Sequence, residues 1–160
     1  MGVLIREATL QDYIGLCELF AEIDALHAQA LPQVFQTVDG PARSRAYLRS
    51  LLDGADSALF VADQGGRLVG MVDVRIQSAP DIPIMVPRRY AVIDAIVVRE
   101  AHRRSGIGRA LMERAHEWVR AQGVDEIALN VWEFNAGAIA FYEGLRYTTV
   151  LRRMWRRLGE

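Results

Sequence analysis

Ile96-Val97-Val98-Arg99-Glu100-Ala101-His102-Arg103-Arg104-Ser105-Gly106-Ile107-Gly108-Arg109-Ala110-Leu111 joins an apolar strand to a basic, glycine-bearing turn and then to the start of an amphipathic helix. Each part has a physical use. Glycines let the backbone approach a ligand and aim N–H groups at it, the first turn of a helix adds partial positive charge, and arginines supply further donors. The expected guest is a diphosphate.

Working outward, two familiar glycine loops are excluded by what lies around this one. A Walker-type loop needs a lysine after its last glycine, and the chain contains no lysine at all. A dinucleotide fingerprint needs G-x-G-x-x-G close behind its strand, but the third place is Leu111, and the turn from Val98 to Gly106 is too long. The acid at Glu126 opens a later strand and is no ribose ligand. The remaining pattern is R-x-x-G-x-G, carried by Arg103, Gly106 and Gly108.

That pattern resembles motif A of the GCN5-related N-acetyltransferase family, whose turn holds the pyrophosphate of acetyl-coenzyme A. Downstream, Asn135-Ala136-Gly137-Ala138-Ile139-Ala140-Phe141-Tyr142-Glu143-Gly144-Leu145-Arg146-Tyr147 resembles the family's motif B, N-x-x-A-x-x-x-Y-E-x-L-G-F. Both stand in order over residues 91 to 147. One departure is Arg146, where the family has glycine, so the turn there needs another route to its geometry. The resemblance implies a single N-acetyltransferase domain over residues 1–160, with a mostly antiparallel sheet, a parallel pair at the coenzyme slot and flanking helices. It also implies acetyl-coenzyme A as co-substrate. The implied coenzyme site comprises Ile96, Val97 and Val98, the cradle residues Arg103, Arg104, Ser105, Gly106, Ile107, Gly108 and Arg109, and Asn135, Ala138 and Tyr142. In it Asn135 matches the residue that touches the pantetheine arm, and Tyr142 the one that donates a proton to the coenzyme sulfur.

The rest of the chain reads as alternating elements of a mixed α/β sheet. Val3-Leu4-Ile5 is a short strand, and Thr9 opens a helix whose apolar positions run through Ile14, Leu16, Cys17, Leu19 and Phe20. Pro41 marks a second helix start, with Tyr47, Leu48, Leu51 and Leu52 as its stripe. Residues 58–62 and 67–76 are strands around Gln64-Gly65-Gly66, a hairpin signal. Pro80, Pro83 and Pro87 make residues 78–89 a surface loop. A helix capped by Ser105 and closed by Gly123 follows the cradle, with Ile107, Leu111, Ala115, Trp118 and Val119 on one face. Ile127, Leu129 and Val131 alternate as a strand, a helix follows Asn135, and residues 147–158 read as a last strand.

At 160 residues, 51% apolar and 24% charged, the composition is that of one globular core. No stretch approaches the roughly 18 apolar residues of a membrane span, and the start lacks a signal core, so a cytoplasmic setting is expected. A net charge of −1 offers no field for nucleic acid or anionic lipid. The arginines of Arg152-Arg153-Met154-Trp155-Arg156-Arg157 are expected to coat a solvated edge. Cys17 stands alone and is expected in the core, and His27, His102 and His116 lack metal-ligand spacing, so no metal is expected.

Acetyl transfer needs an uncharged amine, yet an alkylamine of pKa about 10.4 is neutral about one time in 2,500 at pH 7, a deficit of about 4.6 kcal/mol. A carboxylate working as base, often through water, recovers part of it. Asp94, an acid inside Ala91-Val92-Ile93-Asp94-Ala95-Ile96, is one candidate, and several subfamilies resembling this chain place an acid there; a solvent-facing edge position is the alternative. The glutamate that another branch keeps five residues before the motif B asparagine is replaced here by Asn130. The acceptor would be chosen by the first two helices, with Glu22, Asp24, His27 and Phe35, and by the proline loop. The expected function is transfer to a primary amine of a small molecule; a protein or peptide amine, or a coenzyme sensor without turnover, stays open. A homodimer is common among the family, and neither nucleic acid nor membrane is expected as a partner.

Overall fold

The computed structural model describes residues 2–159 of the protein. They divide into two compact units, one ending at Asn130 and one beginning at Val131.

The first unit runs β1 (Leu4–Glu7), α1 (Tyr13–Ala30), α2 (Arg45–Asp53), β2 (Ser57–Gln64), β3 (Arg67–Ser78), β4 (Arg89–Val98), α3 (Ile107–Ala121) and β5 (Ile127–Leu129). Its five strands lie in chain order, antiparallel except for the parallel pair β4–β5. This is the mixed sheet expected from the alternation of elements. The β2–β3 hairpin closes through Gly65 and Gly66 at φ 60° and 91°, both in the left-handed region that a two-residue turn requires. Residues 79–88 form an irregular, largely exposed excursion, closed where the Ala79 amide donates to the Arg88 carbonyl at 2.9 Å.

α1 and α2 cover one face of the sheet. Leu16, Leu19, Phe20 and Leu48 pack there with Leu59, Val61, Met71 and Val97 in one buried cluster. α3 covers the other face, and Gly70 lets it come close: a Cβ at Gly70 would stand 3.0 Å from Leu111 Cδ1 and 3.0 Å from the Val97 carbonyl oxygen. Cys17 is half-buried in α1 and does not reach the fully buried core expected for it.

β3 and β4 pair regularly except at one point. Asp73 faces Ala95 and Val74 faces Ile93, so Asp94 is an extra residue, a bulge in β4. Side chains therefore change sides across it. Ala91 and Ile93 share the α3 face with Val74 and Ile76, whereas Ala95 and Val97 share the α1 face with Met71 and Asp73.

β1 is displaced to Leu4–Glu7 and β5 ends at Leu129, short of Val131, and three expected helix starts moved as well. α2 starts at Arg45, not at Pro41, because the Ser44 hydroxyl accepts the Tyr47 amide at 3.1 Å and supplies the cap. α3 is capped by Gly106 at φ 87°, and not by Ser105, whose hydroxyl instead donates to the His102 carbonyl. Ahead of α1, a 3-10 turn over Leu10–Asp12 is fastened by the Thr9 amide on Asp12 Oδ2 at 2.8 Å.

The second unit holds α4 (Ala136–Gly144), whose cap is the Asn135 side chain accepting the Ala138 amide at 3.2 Å. The helix ends with the Tyr147 amide on the Tyr142 carbonyl and the Arg146 amide on the Glu143 carbonyl, a Schellman closure. Arg146 itself adopts φ 70°, so the arginine simply takes the glycine conformation. The strand expected over 147–158 is absent. A strand exists through its ladder, and alternation alone leaves an extended segment without one; Val150 is 91% and Leu151 77% exposed.

Candidate active site

The cradle is built by the end of β4 and the start of α3. A 3-10 turn over Glu100–His102 follows β4, then Arg104 at φ 61° and Gly106 at φ 87° curl the chain. The first helical bond of α3 runs from the Ala110 amide to the Gly106 carbonyl at 3.0 Å. The amides of Ile107, Gly108 and Arg109 thus precede any intrahelical partner and point along the helix axis at its positive end. Nothing lies within 4 Å of where a Cβ of Gly106 would stand, so this glycine is needed for its backbone angle and leaves open space in front of it. Arg103 donates from Nε to the Val98 carbonyl at 3.0 Å, and its exposed guanidinium stays beside the turn. Free amides, open space and a guanidinium fit a diphosphate.

The β5 ladder stops at Leu129 opposite Ile93. Beyond it the outer edge of β4, from Asp94 through Ile96, Val97 and Val98, has no strand beside it within this unit. An extended ligand arm could add there as a strand would.

Two acids stand at the bulge. Asp94 is held by Arg75, which donates from both Nε and Nη2, the latter at 2.9 Å. Asp73, one step away on the same face, is 2% exposed, and its Oδ1 is buried with no hydrogen-bond partner among the described residues. Burial chiefly, and then the negative charge of Asp94, push the Asp73 carboxyl up to about 7 against the opposing pull of Arg75 and Arg43. The Tyr47 phenol is also raised, by burial first and by both carboxylates.

Next to these groups opens a cleft of about 580 Å³ lined by Tyr13, Pro41, Ala42, Arg43, Ser44 and Tyr47. Its wall is fixed by the Tyr13 hydroxyl on the Arg43 carbonyl at 2.7 Å, by Arg43 paired with Asp24, and by the Arg43 guanidinium 4.3 Å above the Phe20 ring.

In the second unit, Asn135 and Tyr142 lie seven residues apart and so share a face of α4. The ring of Tyr142 is 6.0 Å from that of Tyr147, and burial raises its phenol to about 12. The hydroxyl therefore keeps its proton throughout the neutral range.

Residues 20–146 match the model of the acetyltransferase (GNAT) family. The chain belongs to the GNAT family. An N-alpha-acetyltransferase from Sulfurisphaera tokodaii is 31% identical to this GNAT chain over 107 residues, covering 62% of it and 63% of the relative. The mouse N-acetyltransferase family 8 member 3 is 27% identical over 99 residues, again 62% of this chain but 42% of the relative, so the match spans about two fifths of that protein. Among solved structures, the BH1408 protein of Bacillus halodurans superimposes with a TM-score of 0.90 at 28% identity, covering 97% of this chain and 99% of that one. An aminoglycoside N-acetyltransferase in complex with coenzyme A superimposes with a TM-score of 0.74 over 96% of this chain at 16% identity, a likeness of fold.

Of the residues singled out in this GNAT chain, the structure brings Ile96 to Val98 and Arg103 to Arg109 together at one end of the first unit, and Asn135, Ala138 and Tyr142 onto one helix of the second. Asp94 is found ion-paired and bulged. The residue that sequence reasoning missed is Asp73. Its signal was present, an acid inside Leu68-Val69-Gly70-Met71-Val72-Asp73-Val74, the same anomaly that marked Asp94.

Proposed function

We propose that this protein transfers the acetyl group of acetyl-coenzyme A directly to a primary amine of a small molecule, its two units working as one domain. The observation that carries the reading is the cradle: three partnerless first-turn amides and Arg103 around the open space at Gly106. When bound, acetyl-coenzyme A supplies the thioester acyl group. Ile107, Gly108 and Arg109 then bind the diphosphate through their amides, with Arg103, Arg104 and Ser105 around it, while Ile96, Val97 and Val98 offer the strand edge to the pantetheine arm. Asn135 and Ala138 line the same arm from α4.

Tyr142 acts at the sulfur. A phenol at about 12 is a weaker acid than a thiol at about 8.5, so its part is to donate a hydrogen bond to charge developing on sulfur as the C–S bond breaks. Asp94, held in place by Arg75, belongs to the acidic group that serves deprotonation of the amine. The cleft beside it has the size of a small-molecule site. A second reading, transfer to a peptide amine, is favoured by the Sulfurisphaera tokodaii relative named an N-alpha-acetyltransferase. The proposal includes a cytoplasmic setting and a homodimer, the latter checked by light scattering.

The test is calorimetric titration with acetyl-coenzyme A followed by coenzyme A release across polyamines, amino acids, aminoglycosides and short peptides. Release with a small amine supports the proposal, and release with peptides alone supports the second reading. Binding without release would favour a coenzyme sensor, and absent binding would remove the cradle from its role. In the active case, Tyr142→Phe is expected to lower kcat roughly 10²-fold with acetyl-coenzyme A affinity kept. An unchanged kcat would take Tyr142 out of the chemistry.

A further inference from the structure

Among the acids near the bulge, one has no ion pair among the described residues to offset its burial. Asp94 spends both carboxylate oxygens on Arg75. Glu18 pairs with Arg99, Glu22 has its Oε1 within ion-pair distance of the same arginine although its Oε2 is buried without a partner among the described residues, and Asp24 pairs with Arg43. Asp73 makes no ion pair, and its buried Oδ1 has no donor among the described residues. Burying a carboxylate without partners is costly, and here nothing in the packing requires an acid, since Asp73 stands between Met71 and Arg75 on a face otherwise filled by Leu59, Val61 and Val97.

Resting on the acetyl-transfer reading above, we propose that Asp73 is the catalytic base that takes the amine proton, and that Asp94 is a positioning residue that works on Asp73 through Arg75 and its own charge. The bulge makes this possible. By adding a residue opposite Asp73, it puts Asp94 and Ala95 on the same side as Asp73 and opens the ladder there. In the proposed step, the N–H bond of the ammonium breaks and its proton passes, directly or through one water, to Asp73. The freed lone pair then forms the N–C bond as the C–S bond breaks. The thiolate takes the second amine proton by way of solvent, and Asp73 releases its own to solvent between turnovers. Atoms and charge balance without any further reactant.

The charges around Asp73 suit the task. Asp94 on β4 holds its proton affinity up, Arg75 on β3 and Arg43 ahead of α2 hold it down, Tyr47 on α2 adds a neutral hydroxyl, and Asp24 of α1 is engaged by Arg43. β2 contributes the apolar Leu59 opposite. Burial dominates, and the result near neutrality is where a base has both the right protonation state and enough proton affinity.

The experiment is the pH dependence of kcat for the best amine, in the wild type, Asp73→Asn and Asp94→Asn, with acetyl-coenzyme A binding measured alongside. The wild type should lose activity on the acid side with a midpoint near 7. Asp73→Asn should lower kcat by roughly 10²- to 10³-fold, abolish that limb and leave coenzyme binding unchanged. Asp94→Asn should keep the limb and move it to lower pH, since a negative neighbour is lost and Arg75 is freed to act on Asp73. A limb that persists in Asp73→Asn, or that vanishes in Asp94→Asn instead, overturns the proposal. Should Asp73→Asn not fold, infrared titration of the wild-type carboxyl groups decides: a buried aspartic acid must deprotonate near neutral pH, and if none does the idea fails. Wild-type binding without any transfer would instead sink the acetyl-transfer reading itself, and the base role with it.

Discussion

Arg146 and Gly123 occupy the same place in two helix closures. Each follows a helix at positive φ, and each donates its amide to the carbonyl three residues back, with the next amide reaching five back. Glycine adopts that conformation without steric cost, whereas an arginine carries a penalty of about 1 kcal/mol. Arg146→Gly is therefore expected to raise stability by about 1 kcal/mol, seen as a higher urea midpoint at unchanged slope. A fall would mean that the exposed arginine side chain has an unseen partner. The arginine was visible in the sequence as a departure, but its backbone angle was not, because a closure can be satisfied either by changing the turn or by straining the residue. Asp73 shows the complementary case: the sequence holds the anomaly, and only burial reveals that the anomaly is unpaired.

At the scale of elements, α3 is aimed by its contact with β3. Gly70 admits Leu111 and Ile107 to the sheet surface, and these residues sit in the first turns of the helix that presents the cradle amides. Gly70→Ala should cost about 1–3 kcal/mol, because the Val97 carbonyl oxygen at 3.0 Å is backbone and yields little. It should also weaken acetyl-coenzyme A binding in calorimetry, since the helix end would shift; stability loss with full affinity would show that the cradle is held by its own turn. The cradle was legible in the sequence because all its parts lie within sixteen residues and depend on local angles. The missing final strand was not, because pairing is a relation to a second strand that alternation cannot supply. Helix starts lay between these, displaced wherever Ser44 or Gly106 offered a better cap than the residue expected.

For the whole molecule, two carboxyls pull stability in opposite directions with pH. Asp12 is held below its ordinary value by the Arg6 guanidinium, so its contribution is present above about pH 4 and lost as pH falls through its folded value. Asp73 is raised from 3.8 to about 7, so between those values the folded state binds the extra proton and stability falls as pH rises, by at most about 4 kcal/mol. Stability should therefore peak in mildly acidic solution, measured by urea unfolding at pH 3, 5 and 8. In Asp73→Asn the decline from pH 5 to 8 should largely disappear; an equal decline would place its origin elsewhere.

The bulge at Asp94 also bears on how this chain tolerates insertions and deletions. In a paired strand, losing one residue exchanges inside for outside along everything beyond the gap. Asp94 belongs to neither side's count, because Ile93 and Ala95 already face adjacent residues of β3. Between Ala91 and Val97, removal of Asp94 leaves Ala91, Ile93, Ala95 and Val97 on their present faces, whereas removal of Val92 or Ile96 turns at least one of them over. A deletion scan should find that position soluble and cooperatively folded while its neighbours fail, making it the point at which the gene can change length without rewriting the core.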